Sequence, residues 1–307
     1  MIVAYHHPGF AADIGTHVMP MRKFALVAEA VAAWPDVRVE APERAGVDDL
    51  LRVHTRAYVD AVRTGEPRAL AESQKFPWSP GLWPSVLLTN GGAIAAARRA
   101  LDDGVAAAIA SGFHHAHADH GEGFCTFNGL VVAAERLRAE GRVGTVAVLD
   151  CDLHYGNGTA SLCAARPWLT NASVYGNDYA GNRAFRDVDV VRHVDGANHV
   201  SFALPNGSGR AELLDAVARA ADAVVARGRP DLLLYQAGAD PYREDPYSPL
   251  ALDHDDLRAR DAWVFAWARR ERLPIAWVLA GGYTPDVAKV VAVHVGTFAA
   301  ARAARGA

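Results

Sequence analysis

Along the 307-residue chain, short apolar runs, most of them apolar on both faces, alternate with longer stretches whose apolar positions recur every three or four residues. The short runs fall at residues 2–5, 37–39, 105–110, 145–149, 172–174, 232–235 and 275–279. A strand apolar on both faces must be covered on both, as in a parallel sheet sandwiched between helices. The helical stretches lie near 21–34, 84–102, 128–140, 210–227, 255–270 and 285–304. In the 210–227 segment Leu213, Ala216, Val217, Ala220, Ala221 and Val224 fall on one stripe, the spacing of a helix that buries one face. The alternation predicts an α/β fold: a doubly wound, mostly parallel sheet with helices on both faces. No internal repeat or linker-like shift divides the chain, so residues 1–307 are expected to form one domain. The longest irregular stretch, 66–84, carries Pro67, Pro77, Pro80, Gly81 and Pro84 and reads as either a surface excursion or a functional loop. The alanine- and arginine-rich end, 299–307, reads as a fraying helix terminus.

Composition narrows the class. A chain that is 51% hydrophobic and 21% charged is neither disordered nor collagen-like. Its net charge of −4, with no dominant basic stripe, gives no reason to expect nucleic acid or an anionic membrane as partner. The first residues lack a basic segment followed by a sustained apolar run, so no secretory leader is expected. The most apolar stretch, 287–301, is interrupted by Lys289 and His294 and fits a core-facing helix better than a membrane span. Cys125, Cys151 and Cys163 form no CxxC pair, which argues for a reducing, cytoplasmic setting rather than a disulfide framework. Thirteen histidines are the compositional oddity.

In an open parallel sheet, ligands gather beyond the carboxyl ends of the strands, so polar clusters following apolar runs are the first candidates. After 145–149 the chain reads Asp150, Cys151, Asp152, Leu153, His154, Tyr155, Gly156, Asn157, Gly158. In extended geometry Asp150, Asp152 and His154 would project to one side, where carboxylate and imidazole can share a divalent cation. After 232–235, Asp240 offers a further ligand behind Gly238, which permits close backbone approach. Each cluster alone is also compatible with capping or turn hydrogen bonds. After 105–110, His114, His115, His117 and His120 crowd into a glycine-rich loop ending Gly121, Glu122, Gly123, Phe124, Cys125. Imidazoles in a cleft suit proton transfer near neutrality; a solvated loop or adventitious metal tract is the alternative. Beyond 275–279, Tyr283 follows Gly281 and Gly282 and offers a phenol.

Together and in this order, these segments resemble the zinc-dependent histone deacetylase family, whose fold is the arginase-like α/β sheet. His54 to Tyr58 and Asn90 to Ala93 extend the similarity over nearly the whole chain. Residues 173–175, 240–252 and 280–283 look closest to the class IV, deacetylase-11-like branch. The resemblance implies that Asp152, His154 and Asp240 hold one Zn2+, with Fe2+ able to substitute in so hard a donor set. It implies His115 as general base, His114 as a charge stabiliser beside it and Tyr283 as hydrogen-bond donor to the oxyanion. Asp150 would sit against His114 and Asn157 against His115; some branches carry Asp at the latter position. Phe124 and Tyr179, with Gly123, would wall an acyl-lysine channel. A structural K+ would use groups around Asp150, Asp152, His154 and Ser173. His117 and His120 inherit no family role and are expected to be rim histidines.

The activity so implied is removal of acetyl or longer acyl groups from the ε-amine of acyl-lysine, in a peptide or protein, by a protein expected to be monomeric. A small acylated amine such as an acetylpolyamine is the alternative substrate. A ureohydrolase on the same fold would need further metal aspartates where Tyr155, Gly156 and Asn157 stand. A non-catalytic binding homologue would be expected to have lost a ligand or catalytic position, and none is missing. Hydrolysis through Cys125 or Cys151 would require a thiolate; Cys151, between two candidate ligands, is expected to point away and pack.

Overall fold

A computed structural model describes residues 1–183, 186 and 189–306, so residue 307 of the predicted helix end lies outside the described residues. Eight strands form one sheet: β1 (Ile2–Tyr5), β2 (Val37–Glu40), β3 (Val105–Ser111), β4 (Val146–Asp150), β5 (Leu169–Tyr175), β6 (His199–Ala203), β7 (Leu232–Ala237) and β8 (Ile275–Leu279). Their order is β2-β1-β3-β8-β7-β4-β5-β6, and all of these pairings are parallel. The expected α/β sheet is therefore present, with β6 as an addition. At the edge β6 pairs only with β5 and keeps three of its five positions partly exposed, so its sequence carries no continuous apolar run.

Among the described residues ten α-helices lie between or after the strands: α1 (Lys23–Ala32), α2 (Val47–Leu51), α3 (Arg56–Thr64), α4 (Arg68–Ala71), α5 (Leu82–Asp103), α6 (Gly129–Ala139), α7 (Asn157–Cys163), α8 (Arg210–Ala226), α9 (His254–Arg270) and α10 (Val287–Gly306). The long ones sit where the 3.6-residue periodicity puts them, and the whole α8 stripe from Leu213 to Val224 is buried. Each strand divides its side chains between two apolar layers. Leu233 and Tyr235 pack with α1, α8, α9 and α10, whereas Leu232 and Leu234 pack with α5 and α6. Alternation along the pleat explains why both faces of β7 had to be apolar.

Two sequence expectations are corrected. The 66–84 stretch is not wholly irregular: it contains α4 and the start of α5, and it packs against the mouth of the candidate site. There Phe76 stacks on Phe124 at 5.6 Å and the Phe124 amide donates to Gln74 O at 2.9 Å. The C-terminal helix does not fray from residue 299. Ala300 and Ala301 are buried, Arg302 pairs with Asp36 at 2.7 Å, and Arg305 donates to Met1 O at 2.8 Å. α10 is long and apolar enough to cross a membrane by length and composition, but Val290, Val293 and Phe298 lie in the core layer.

One fully buried cation ties the centre together. Arg260 on α9 pairs with Asp261 at 2.9 Å and donates to Cys151 O at 3.1 Å and Gly238 O at 2.9 Å. Those carbonyls belong to the loops after β4 and β7. Asp261 also accepts from Tyr235 Oη at 2.5 Å and Thr297 Oγ1 at 2.6 Å. Removing one member of a buried, hydrogen-bonded ion pair costs about 3–5 kcal/mol. Arg260→Leu is expected to lower stability by an amount of that order, read from the urea unfolding midpoint; an unchanged midpoint would refute the bracing role.

Candidate active site

β4 ends at Asp150, and the chain then leaves extended geometry through turns closed by its own carboxylates. The amide of Asp152 donates to Asp150 Oδ1 at 3.1 Å and that of His154 to Asp152 Oδ1 at 3.0 Å. The three side chains consequently do not share one side as a continued strand would require. Asp150 turns to His114, while Asp152 and His154 turn to Asp240. His154 Nδ1 lies 3.3 Å from Asp152 Oδ1 and 3.0 Å from Asp240 Oδ2. One donor atom from each of the three lies within 4.8 Å of the others, and all three residues are buried. The amide of Leu153 donates to Asp240 Oδ1 at 3.0 Å and that of Gly281 to Asp152 Oδ2 at 2.8 Å.

This triad has the electrostatics of a cation site. Burial works against the His154 imidazolium, yet the adjoining carboxylates of Asp152 and Asp240 outweigh it and lift its pKa to about 10. Burial and then the Asp152 charge push Asp240 up to about 6. The negative potential that favours a proton on His154 would favour a divalent ion in its place. Two carboxylates and one imidazole suit such an ion while leaving a coordination position open. Asp152, His154 and Asp240 are thus the residues that fit a metal.

β3 ends at Ser111 and delivers the adjacent histidines, whose ring centroids are 4.0 Å apart. His114 Nδ1 lies 2.7 Å from Asp150 Oδ2, and His115 Nδ1 lies 2.7 Å from Asn157 Oδ1. Asn157 Nδ2 donates to Glu122 Oε2 at 2.7 Å, which leaves the amide oxygen facing His115. His115 Nδ1 must then be the donor, and Nε2 is the free base. Burial disfavours the His114 cation, but Asp150 and Asp152 prevail and its pKa is raised. For His115, burial and the positive charges of His114 and His154 hold the pKa well below the ordinary imidazole range. Two neighbouring imidazoles are thereby set to different protonation states.

Beside them lies a cavity of about 170 Å³. Its lining includes His115, His154 and Gly123, with Phe124, Tyr179, Tyr247 and Tyr283 as aromatic walls, and the Lys75 side chain. Tyr179 stacks on the His115 ring at 3.9 Å. Burial, then Asp240, pushes the Tyr283 phenol well above its ordinary pKa, so it keeps its proton. Of the expected site residues, His115, His154, Tyr283, Phe124, Tyr179 and Gly123 line this cavity, and His114, Asp150, Asp152, Asn157 and Asp240 stand behind them in contact with its two histidines or with each other. Ser173, in register with Asp150, has a buried hydroxyl without a hydrogen-bond partner. Cys151 packs in the core as expected, and burial pushes its thiol, and that of Cys125, well up, against a thiolate nucleophile.

Several contributors were not anticipated. Asp245 accepts from the amides of Tyr283 at 2.7 Å and Tyr247 at 3.1 Å, and burial with Asp240 nearby lifts its pKa to about 7. Lys23 is fully buried, donates to Ala280 O at 2.6 Å, and is lowered to about 8 by burial against the pull of Asp240 and Asp152. Tyr247 and Lys75 complete the cavity. Asp245 and Tyr247 lie in the 240–252 segment that carried part of the resemblance, without a role assigned to either, and Lys23 and Lys75 follow no strand.

The sequence profile of the histone deacetylase domain matches residues 17–298, and the chain belongs to that family. It is 31% identical to an acetylpolyamine amidohydrolase of Burkholderia pseudomallei, over 91% of each chain. It is 30% identical to a probable deacetylase of Methanothermobacter thermautotrophicus, over 80% of this chain and 74% of that one. Histone deacetylase 2 of Arabidopsis thaliana is 29% identical over 82% of this chain and 65% of its own. In fold, a crystal structure of acetylpolyamine aminohydrolase from Burkholderia pseudomallei superposes with a TM-score of 0.80 over 99% of both chains, at 24% identity. The arginase- and deacetylase-like sheet is therefore established, and the family is one of amide hydrolases.

Close packing makes Gly281 a sensitive point. A Cβ there would lie 1.9 Å from Asp240 Oδ2. Gly281→Ala is expected to retain the far-UV circular dichroism of the wild type while losing at least about tenfold in divalent-metal affinity, as for disturbed ligand support. Calorimetric titration of the chelator-stripped protein checks this, and wild-type affinity would contradict it.

Proposed function

We propose that the protein is a metal-dependent amidohydrolase that removes acyl groups from the ε-amine of acyl-lysine. The observation that carries this reading is the convergence of Asp152 and Asp240 on His154, which shares one cavity with a neutral His115 and a protonated Tyr283. When bound there, a Zn2+ ion, or Fe2+ in its stead, supplies a Lewis acid that polarises the scissile carbonyl and acidifies water. His115 Nε2 takes a proton from the attacking water and delivers it to the leaving amine nitrogen. His114, held by Asp150, contributes positive charge next to it. The Tyr283 hydroxyl donates to the carbonyl oxygen as the carbon becomes tetrahedral. The walls formed by Phe124 and Tyr179 fit an apolar lysine stem, and the unpartnered Ser173 hydroxyl beside Asp150 fits a structural K+ with Asp152 and His154. The sequence likeness to the class IV branch belongs to the same reading, as does a cytoplasmic location.

The charge around the cavity favours acyl-lysine over a polycationic amine. Lys75 is exposed, and no carboxylate lines the cavity among the described residues. A polyamine tail would meet a like charge without a counterion. The acetylpolyamine reading draws on the Burkholderia relative, which matches this chain along nearly its full length.

A panel of acetyl- and longer acyl-lysine peptides and acetylpolyamines, assayed with and without chelator, separates these readings. Chelator-sensitive turnover of the peptides, with the polyamines at least about tenfold slower in kcat/KM, is expected; the reverse ranking would transfer the assignment to polyamines, and no turnover after metal reconstitution would remove it. pH dependence tests His115. It must be neutral to accept a proton, so activity falls as pH drops through its pKa, which burial, His114 and His154 hold low. Asn157→Asp places a carboxylate against Nδ1, stabilises the imidazolium and should move the acidic limb of kcat/KM upward by about one pH unit or more. An unmoved limb would reject the pairing as a control on basicity.

A further inference from the structure

The loop that carries His114 and His115 also gathers a second set of donor atoms. One ligand atom each from His117, His120 and Glu122 lies within 4.8 Å of the others. The two rings stack in parallel, with centroids 4.6 Å apart and planes 6° apart. Both Nε2 atoms face the Glu122 carboxylate, at 3.8 Å from Oε2 for His117 and 3.5 Å from Oε1 for His120. Such separations are long for hydrogen bonds. They approach the roughly 3.3 Å between donors around a tetrahedral ion whose bonds are about 2.0–2.1 Å.

The surroundings are built for ligation. His117 Nδ1 is held by Ser161 Oγ at 2.9 Å, and His120 Nδ1 by Asp119 Oδ1 at 2.7 Å. A hydroxyl or carboxylate on the far nitrogen is what orients metal-binding imidazoles and raises their basicity. Glu122 is braced from behind by Asn157 Nδ2, and the His117 amide donates to His120 O at 2.9 Å, closing the turn. The side chains of His117, His120 and Glu122 are 20%, 38% and 19% exposed, so an ion has access.

We propose that His117, His120 and Glu122 form a second metal site that takes one borderline-soft divalent ion, of the Zn2+, Co2+ or Ni2+ kind, with water in the open positions. Two imidazoles and one carboxylate favour these ions over Mg2+ or Ca2+, which prefer all-oxygen shells. The site shares no ligand with Asp152, His154 and Asp240. It does share a carboxylate with the support of the neighbouring histidine, because the Glu122 oxygen that accepts from Asn157 also faces His117.

Metal content decides the matter. Untagged full-length protein, stripped with chelator and dialysed against micromolar free Zn2+ or Co2+, should bind two equivalents per chain. His117→Ala/His120→Ala should bind one, and Asp152→Asn/Asp240→Asn should also bind one, each with wild-type circular dichroism. Glu122→Gln gives an independent variant of nearly the same size and should likewise bind one. The proposal is overturned if the wild type binds a single equivalent that only the Asp152/Asp240 variant loses. It is also overturned if the histidine variant and Glu122→Gln both retain two.

Discussion

The site depends on holding two buried carboxylates against each other. Asp152 and Asp240 come from strands that are neighbours in the sheet, β4 and β7, paired in register from Val146 with Leu232 to Asp150 with Gln236. Burial first, and then the repulsion between two such charges, drives one toward protonation, which is the direction Asp240 takes. What keeps them together is fixed by backbone. Arg260 grips the carbonyls of Cys151 and Gly238, one on each loop, while the amides of Leu153 and Gly281 hold the carboxylates themselves. The guanidinium thus ties together the two loops that carry the carboxylates, with its own charge answered by Asp261.

The same economy of backbone and dipoles separates the two imidazoles. His114 faces a carboxylate and His115 faces an amide, both at 2.7 Å. A carboxylate stabilises imidazolium; an amide oxygen fixes the ring without adding charge. Glu122, one bond further out, removes the ambiguity of the amide by accepting from its nitrogen. Direction therefore propagates from an ionised group at the rim to a neutral one inside, through an intermediate that cannot carry a proton itself. Tyr179, stacked on His115, adds to its desolvation and keeps its pKa down.

Much of this was legible in the sequence because a parallel sheet places chemistry where apolar runs stop. Seven of the eight strands announced themselves as short apolar runs, most of them apolar on both faces though β2 carries Arg38, and three of them run directly into His114, Asp152 and Asp240. β6 was not legible because an edge strand has no need of a second apolar face. The i, i+2 argument for Asp150, Asp152 and His154 grouped residues that the turns then separate, since carboxylate-capped turns replace the strand after Asp150. The roles of Arg260, Lys23 and Asp245 were not legible, for a common reason. Each acts from a helix or a distant loop on a backbone group, and a hydrogen bond to a carbonyl or amide leaves no mark on the identity of its partner residue. Lys75 escaped because a proline-rich stretch does not show which way it folds back, although its length rightly drew attention.

The strand order explains why so scattered a set of residues meets at all. β3, β8, β7 and β4 are consecutive in space, and their carboxyl ends deliver in turn His114 with His115, Tyr283, Asp240, and Asp152 with His154. In sequence these strands are separated by helices and by the excursion through β5 and β6. All the connections are parallel crossovers, so every strand ends at the same edge, and the loops beyond that edge can meet across one or two intervening strands. The metal-fitting triad straddles the adjacent pair β4 and β7. The proton-handling histidines need β3, which is two strands away from β7, and reach back through the bond from His114 to Asp150. That bond passes beyond the carboxyl ends of β8 and β7, the two strands that separate β3 from β4. Because ligands gather at that edge of a parallel sheet, the cavity opens there, with His115 and His154 both in its lining.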